Sequence, residues 1–223
     1  MSAVFDPKFV TFDCYGTLTN FQMGSATKRI LGDRLPGAIA EPFLDMFGNY
    51  RLDEVMADWR PYRDVIAAAY ERACSKFGID YRDADATAIY ESIGTWGAHP
   101  DVPAGLAKLA TKVPLVILSN ATDSQIASNV AQLGAPFERV LTAEQAQAYK
   151  PRYRPFEYML DTLGVGPEDI VHVSASLRYD LMPAYDLGIT NKVYVNRGYE
   201  FPTPEYGYRE IATIAELPAL FGL

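Results

Sequence analysis

The sequence predicts an α/β fold: a parallel sheet with helices on both faces, interrupted after its first strand by an all-helical insert. Three observations carry this reading. A β-prone run, Phe9-Val10-Thr11-Phe12, stops at Asp13 and turns at Gly16. The stretch 20–97 has helical periodicity and no convincing strand. Beyond residue 98 strand and helix patterns alternate, which implies a parallel sheet covered on both sides.

Each element has its own signal. In the insert, Tyr62, Val65, Ile66, Ala69, Tyr70, Ala73 and Phe77 recur at helical spacing and form one apolar face. The segment His99-Pro100-Asp101-Val102-Pro103 breaks that pattern and reads as a hinge. Residues 114–118 then read as a buried strand, 124–133 as a helix ended by Gly134, and 138–141 as a short strand. A helix at 156–163 stops at Gly164, a strand follows at 170–173, a helix at 181–187 closes at Gly188, and 192–195 is the final strand. The expected division is a core of 1–19 and 98–223 and a helical cap of 20–97.

Composition narrows the class. The chain has 223 residues, 49% hydrophobic and 22% charged, with mean hydropathy −0.06. This excludes a disordered or fibrous chain. A net charge of −8 without a basic run argues against a nucleic-acid partner. The longest apolar runs, such as 113–118, fall far short of the ~20 residues of a membrane helix, so no membrane partner is expected. Two cysteines, Cys14 and Cys74, make neither a disulfide framework nor a zinc cluster. The start, Met1-Ser2-Ala3-Val4-Phe5-Asp6, lacks the basic residues and apolar stretch of a signal peptide. A cytoplasmic location is expected.

In open α/β sheets ligands bind beyond the carboxyl ends of the strands. Those positions hold Asp13-Cys14-Tyr15-Gly16-Thr17, then Ser119-Asn120, then Lys150-Pro151, then the run from Ser174 to Asp180. Each has a bland reading: Asp13 as a turn residue, Ser119-Asn120 as a helix cap, Lys150 as a solvated cation, Asp180 as a helix start. Four polar sets at four consecutive strand ends instead converge on one point.

These segments, with Phe12 to Leu18, Ile117-Leu118-Ser119-Asn120, Tyr149-Lys150-Pro151, Val173 to Asp180 and Val195-Asn196-Arg197, resemble the haloacid dehalogenase superfamily, and within it the L-2-haloacid dehalogenases. The resemblance spans nearly the whole chain, with the insert matching the family's cap. It implies a Rossmann-like core and a hydrolase acting on short 2-haloalkanoic acids, through an aspartyl ester, to give 2-hydroxy acids. It implies no cofactor, no metal and a small halocarboxylate as the only partner, besides a homodimer, which homologues commonly form. Asp13 would be the nucleophile, Lys150 would keep it ionised, Thr17 would hold its second oxygen, and Asp180 would activate the water that opens the ester. Ser119 and the amides after Asp13 would bind the substrate carboxylate. Arg51, eight residues before Trp59, would receive the halide, with Asn120 as a further donor or a helix cap. Tyr15 and Ser176 complete the expected substrate contacts.

Tyr15 decides between reactions. Superfamily phosphatases carry an Asp there to protonate the leaving alkoxide; a phenol of pKa ~10 is a poor substitute, and a departing halide needs no proton. The run from Val173 to Asp180 offers one acid, with Arg178 adding positive charge, so no magnesium site is expected. A magnesium-dependent small-molecule phosphatase is the alternative, and a catalytically weak carboxylate-binding relative is the third reading. Three positions depart from the family: Phe156 replaces a Tyr, and Ala175 and Leu177 replace Ser and Asn, with Ser174, Ser176, Arg178 or Tyr179 as candidate compensations. His172, inside a strand, reads as a core residue or a support for the site, not a catalytic base. His99 belongs to the hinge. Cys14 has no His or Asn placed to make it a nucleophile. Trp59, Tyr62 and Trp96 read as cap packing.

Overall fold

The computed structural model describes residues 4–223; the reading of Met1-Ser2-Ala3 as a start without a leader lies outside them. The chain divides into two compact units, one running to Asn20 and resuming at Gly97–Leu223, the other Phe21–Trp96.

The first unit is built on six parallel strands: β1 (Phe9–Phe12), β2 (Leu115–Ser119), β3 (Arg139–Thr142), β4 (Ile170–Ser174), β5 (Lys192–Val195) and β6 (Arg209–Ile211). Their order is β3-β2-β1-β4-β5-β6. The registers Phe12↔Ile117, Phe12↔Val173 and Ser119↔Thr142 bring the carboxyl ends into line. The chain leaves β1 for β2 on one side and later returns to β4 on the other, so the order reverses beside β1. A crevice opens at such a reversal.

Alternation along each strand supplies both faces. Val10, Phe12, Leu115, Ile117, Val171 and Val173 pack with Val102 and Leu106 of α5 (Val102–Leu109) and Ile126 of α6 (Asp123–Val130). Val116, Leu118 and Ile170 face the other way. They meet Phe156 and Met159 of α8 (Arg154–Leu163) and Ala184 of α9 (Met182–Asp186), the short α7 (Ala143–Ala146) lying between β3 and α8. Burying apolar side chains on both faces is what these near-continuous Val/Ile/Leu strands require. Gly105 of α5 lets that helix lie directly on the chain at Ile214: an added Cβ would stand 2.5 Å from the Ile214 carbonyl oxygen.

Two elements differ from expectation. The edge strand β6 carries no strand signal in the sequence because Arg209-Glu210-Ile211 has a single apolar residue facing the core. The helix expected at 181–187 begins earlier, as a π-turn over Leu177–Leu181 that continues into α9. The segment expected to be a hinge leads into α5, and its Asp101 is gripped by both terminal nitrogens of Arg197 at 2.9 Å.

The second unit is all-helical: α1 (Met23–Leu31), α2 (Gly37–Val55), α3 (Tyr62–Phe77) and α4 (Asp83–Ser92). Its centre is aromatic, with Tyr70 and Phe77 meeting Phe43 edge-on at 6.2 and 5.7 Å. Asp85 accepts hydrogen bonds from Arg34 at 2.6 Å and Tyr70 at 3.0 Å. No helix among the described residues is long and apolar enough to cross a membrane.

Candidate active site

Asp13 follows the last residue of β1, and its backbone N–H donates to the Val173 carbonyl at 3.1 Å. The loop then turns tightly at Gly16, whose φ of +93° favours a residue without Cβ. Gly16 N–H bonds the Thr19 carbonyl and Leu18 N–H the Cys14 carbonyl, so these two amides serve the turn. That turn swings Thr17 back over Asp13. The Thr17 hydroxyl accepts from Ala175 N–H at 2.8 Å, which leaves its own hydrogen to donate to Asp13 Oδ2 at 2.7 Å.

Lys150 is 1% exposed at its side chain. Its Nζ has three hydrogens and three acceptors: Asp13 Oδ1 at 2.9 Å, Asp180 Oδ1 at 2.7 Å and the Leu118 carbonyl at 2.8 Å. Asn120 fixes the loop beneath it, donating to the Lys150 carbonyl at 2.8 Å and accepting from Lys150 N–H at 2.7 Å. The Lys150–Pro151 peptide is cis. Asp180 is wholly buried in the π-turn. Its Oδ1 also lies 3.0 Å from His172 Nε2, while its Oδ2 has no hydrogen-bond partner among the described residues.

These contacts drive the carboxylates apart. Burial pushes the Asp13 carboxyl above its ordinary value and Asp180 adds to this, with Lys150 and Thr17 opposing. Burial also pushes Asp180 upward, but Lys150 and His172 outweigh it and hold that carboxyl below its ordinary value. Burial alone would lower Lys150; the two carboxylates reverse this and raise it. The two acids therefore differ in their affinity for a proton: Asp180 is held as the carboxylate by its two donors, and Asp13 is the more basic of the pair. Cys14, by contrast, is buried and its thiol is pushed up to about 12 by desolvation. It is no nucleophile.

The sequence-derived residues thus fall into groups. Asp13, Thr17, Lys150 and Asp180 form one bonded cluster. Ser119 closes β2, 2% exposed, with its hydroxyl unpartnered among the described residues. Tyr15 donates its hydroxyl to Asn129 at 2.9 Å. Asn120 uses its amide on the Lys150 loop, which explains its place better than capping a helix. Ser176 is a correction. Its hydroxyl donates to Glu200 at 2.7 Å and accepts from Tyr179 N–H at 3.1 Å, so its hydrogen is spent on the π-turn and not left for a substrate contact. Arg51 belongs to the helical unit, where its guanidinium bonds Tyr62 at 3.2 Å and lies over the rings of Phe21 and Phe47.

Other contributors were missed. Glu200 also receives Leu177 and Arg178 N–H at 3.2 and 3.1 Å and so anchors the π-turn from a loop with no sequence signal. Arg197, besides gripping Asp101, donates to the Thr17 carbonyl at 3.0 Å and fixes the β1 loop. Thr11 and His172 form a buried pair at 2.8 Å behind Asp180. The strand-internal histidine was the visible clue to that pair.

Comparison with known proteins follows the same line. The chain is 27% identical over 218 residues to (S)-2-haloacid dehalogenase 4A of Burkholderia cepacia, covering 92% of this chain and 91% of that protein. Over 127 residues, 54% of this chain and half of the relative, it is 28% identical to human N-acylneuraminate-9-phosphatase. A crystal structure of a dehalogenase with an intermediate complex superposes with a TM-score of 0.82 at 24% identity, covering 99% of this chain and all of that one. The family model of haloacid dehalogenase-like hydrolases matches residues 7–188. With Asp13, Lys150 and the buried Asp180 all inside that span, the chain belongs to the haloacid dehalogenase-like hydrolases.

Proposed function

We propose that this protein hydrolyses the carbon–halogen bond of short 2-haloalkanoic acids. The observation that carries the reading is the pairing of an anchored, basic carboxylate at Asp13 with a non-acidic neighbour at Tyr15, whose proton is committed to Asn129. Such a site attacks carbon well and protonates a leaving group poorly, which suits departure of a halide.

An Asp13 oxygen attacks C2 of the substrate, and the carbon–halogen electron pair leaves with the halide. An ester forms between Asp13 and the inverted carbon. The substrate carboxylate is assigned to the Ser119 hydroxyl, which is unpartnered among the described residues. Water then attacks the ester carbonyl carbon of Asp13, and its proton passes to Asp180. Collapse of the tetrahedral adduct breaks the bond from the carbonyl to the substrate oxygen. The departing alkoxide takes the proton back from Asp180 to give the 2-hydroxy acid. The water oxygen stays on Asp13 with its second hydrogen, which is lost to solvent to restore the carboxylate. Lys150 has every hydrogen committed and moves no proton; it holds both acids in place. Two free, buried cysteines suit the reducing cytoplasm we infer for it.

Magnesium-dependent phosphoryl transfer is a poorer fit to these donors. Asp13 and Asp180 share one ammonium between them, and a cation drawn to either acid would meet that positive charge. Among the described residues, no three His, Cys, Asp or Glu side chains group to hold a metal ion. The deciding experiment is halide release from both 2-chloropropionate enantiomers, chloroacetate and fluoroacetate, with and without chelator. Chelator-insensitive halide release with the 2-hydroxy acid as product is expected. Chelator-sensitive phosphate release from phosphate esters, without halide release, would replace this reading with the phosphatase.

Arg51 is assigned to the departing halide. Arg51→Ala should slow the first halide burst by about 100-fold, the effect of losing one preorganised charge, about 3 kcal/mol. Arg51→Lys should recover only part, since an ammonium lacks the planar fork. An unchanged burst rate in Arg51→Ala would remove Arg51 from the mechanism.

A further inference from the structure

Opening the Asp13 ester needs a base that stays ionised and keeps one oxygen available to water. His172 lies on the face of β4 that looks toward α8, wholly buried, with the Phe156 ring edge-on at 5.4 Å. An imidazole in such an apolar layer is costly unless both nitrogens are bonded. Both are. Thr11, its register partner across β1 and β4, places Oγ1 2.8 Å from Nδ1, and Asp180 Oδ1 lies 3.0 Å from Nε2. The Thr11 hydroxyl has one hydrogen and a second, poorer acceptor, the Val171 carbonyl at 3.4 Å. The shorter contact takes the hydrogen, so Nδ1 accepts and Nε2–H donates to Asp180.

Lys150 and His172 therefore both donate to Asp180 Oδ1, and Oδ2 is the oxygen without a partner among the described residues. Two donors converging on one oxygen stop the carboxylate from rotating and reserve the other oxygen for the water proton. Lys150 touches both acids and serves both half-reactions. Of the two acids, His172 bonds only Asp180.

We propose that His172, oriented by Thr11, is a positioning residue that holds Asp180 for ester hydrolysis and takes no part in halide displacement. This rests on the haloacid reading above, and the experiment separates the two. In His172→Leu, rapid-quench kinetics should show a first burst of halide at close to the wild-type rate. Steady turnover should fall by about 10- to 100-fold, the size of a lost hydrogen bond to a charged group, and the adduct should accumulate on the Asp13 peptide by mass spectrometry. His172→Gln, whose terminal N–H reaches as far as Nε2, should restore most of the turnover. His172→Asn, too short to reach Asp180, should behave like leucine and replaces it if leucine prevents folding. Thr11→Val should give a smaller loss of the same kind. Equal slowing of burst and steady phases, or no change in either, overturns the proposal. Should the wild-type protein release halide from no haloacid, the reaction reading fails and His172 is judged by its tautomer. The chain has two histidines, so nitrogen-15 spectra compared with His172→Gln identify its signal. An Nε2–H tautomer altered by Asp180→Asn is expected, and an Nδ1–H tautomer overturns the assignment.

Discussion

Asp13→Asn should lower halide release by at least about 10⁴-fold, as removal of an essential nucleophile does, and should not lower the melting temperature at neutral pH. Loss of activity follows because an amide is a far weaker nucleophile. The stability result follows from charge. Asp13, Asp180 and Lys150 together carry two negative charges and one positive, and burial raises the Asp13 pKa above its ordinary value. A folded-state pKa above the unfolded one means the native state prefers the protonated acid, so ionisation of Asp13 costs stability as pH rises through that range. Asparagine removes this cost and leaves one ammonium facing one carboxylate. Retention of more than a few percent of activity, with deamidation excluded, would take Asp13 out of the nucleophile's role. A clear drop in melting temperature would contradict the charge argument.

Lys150→Met should destabilise the fold by about 3–5 kcal/mol at pH 7, the usual result of breaking a buried ion pair from one side, and should abolish turnover. Methionine fills the space but leaves Asp13 Oδ1, Asp180 Oδ1 and the Leu118 carbonyl short of a donor. The sign with pH is opposite in the two proteins. In the wild type, Asp180 has a depressed pKa, so its stabilisation is present above the unfolded value and is lost as pH falls through the folded one. Without Lys150 both acids are raised, so the variant gains from protonation and its deficit narrows as pH falls toward 5. Urea unfolding at pH 7 and pH 5 measures this. A deficit that is constant or widens in acid would show that Lys150 acts by packing alone.

How much of this was legible depended on whether the signal was local. The core strands announced themselves because a buried parallel strand is an uninterrupted apolar run, as in Val116-Ile117-Leu118, and a strand end followed by polar residues locates the crevice. Asp13 and Thr17 stand directly after such a run or in the turn beyond it. Lys150 lies past β3 and α7 and Asp180 in the π-turn after β4, so their reading leaned on the family resemblance; the structure brings the four side chains together. Glu200 was not legible: it lies 24 residues beyond Ser176, in a loop, and only the fold brings its carboxylate to the π-turn. Ser176 reads as a substrate contact for the same reason, since a hydroxyl near a strand end looks available until its partner, Glu200, is known. His172 reads from the sequence as a core residue or a support for the site, and it lies buried between Thr11 and Asp180. A polar side chain among valines signals a buried hydrogen bond, yet the sequence cannot name Thr11 and Asp180 as the two ends of it. Leu177, which stood out as a missing amide, packs with Leu181 and Tyr194 in a small apolar cluster.

The position of β1 also bears on how the protein is made. It is the first strand synthesised but the third across the sheet. Val10 pairs with Leu115 on one side and Val171 on the other. At about 5–20 residues per second on the ribosome, its second neighbour is synthesised roughly 10–30 s after it. Until β2 is made the strand has neither neighbour, and until β4 is made it keeps one open edge, with Asp13 still lacking Asp180. The site is therefore closed only after β4 is made and docks, when the π-turn that follows it brings Asp180. A ribosome stalled before residue 170 would hold a chain with its nucleophile but no catalytic pocket, and with an apolar strand edge open to chaperones or to other chains.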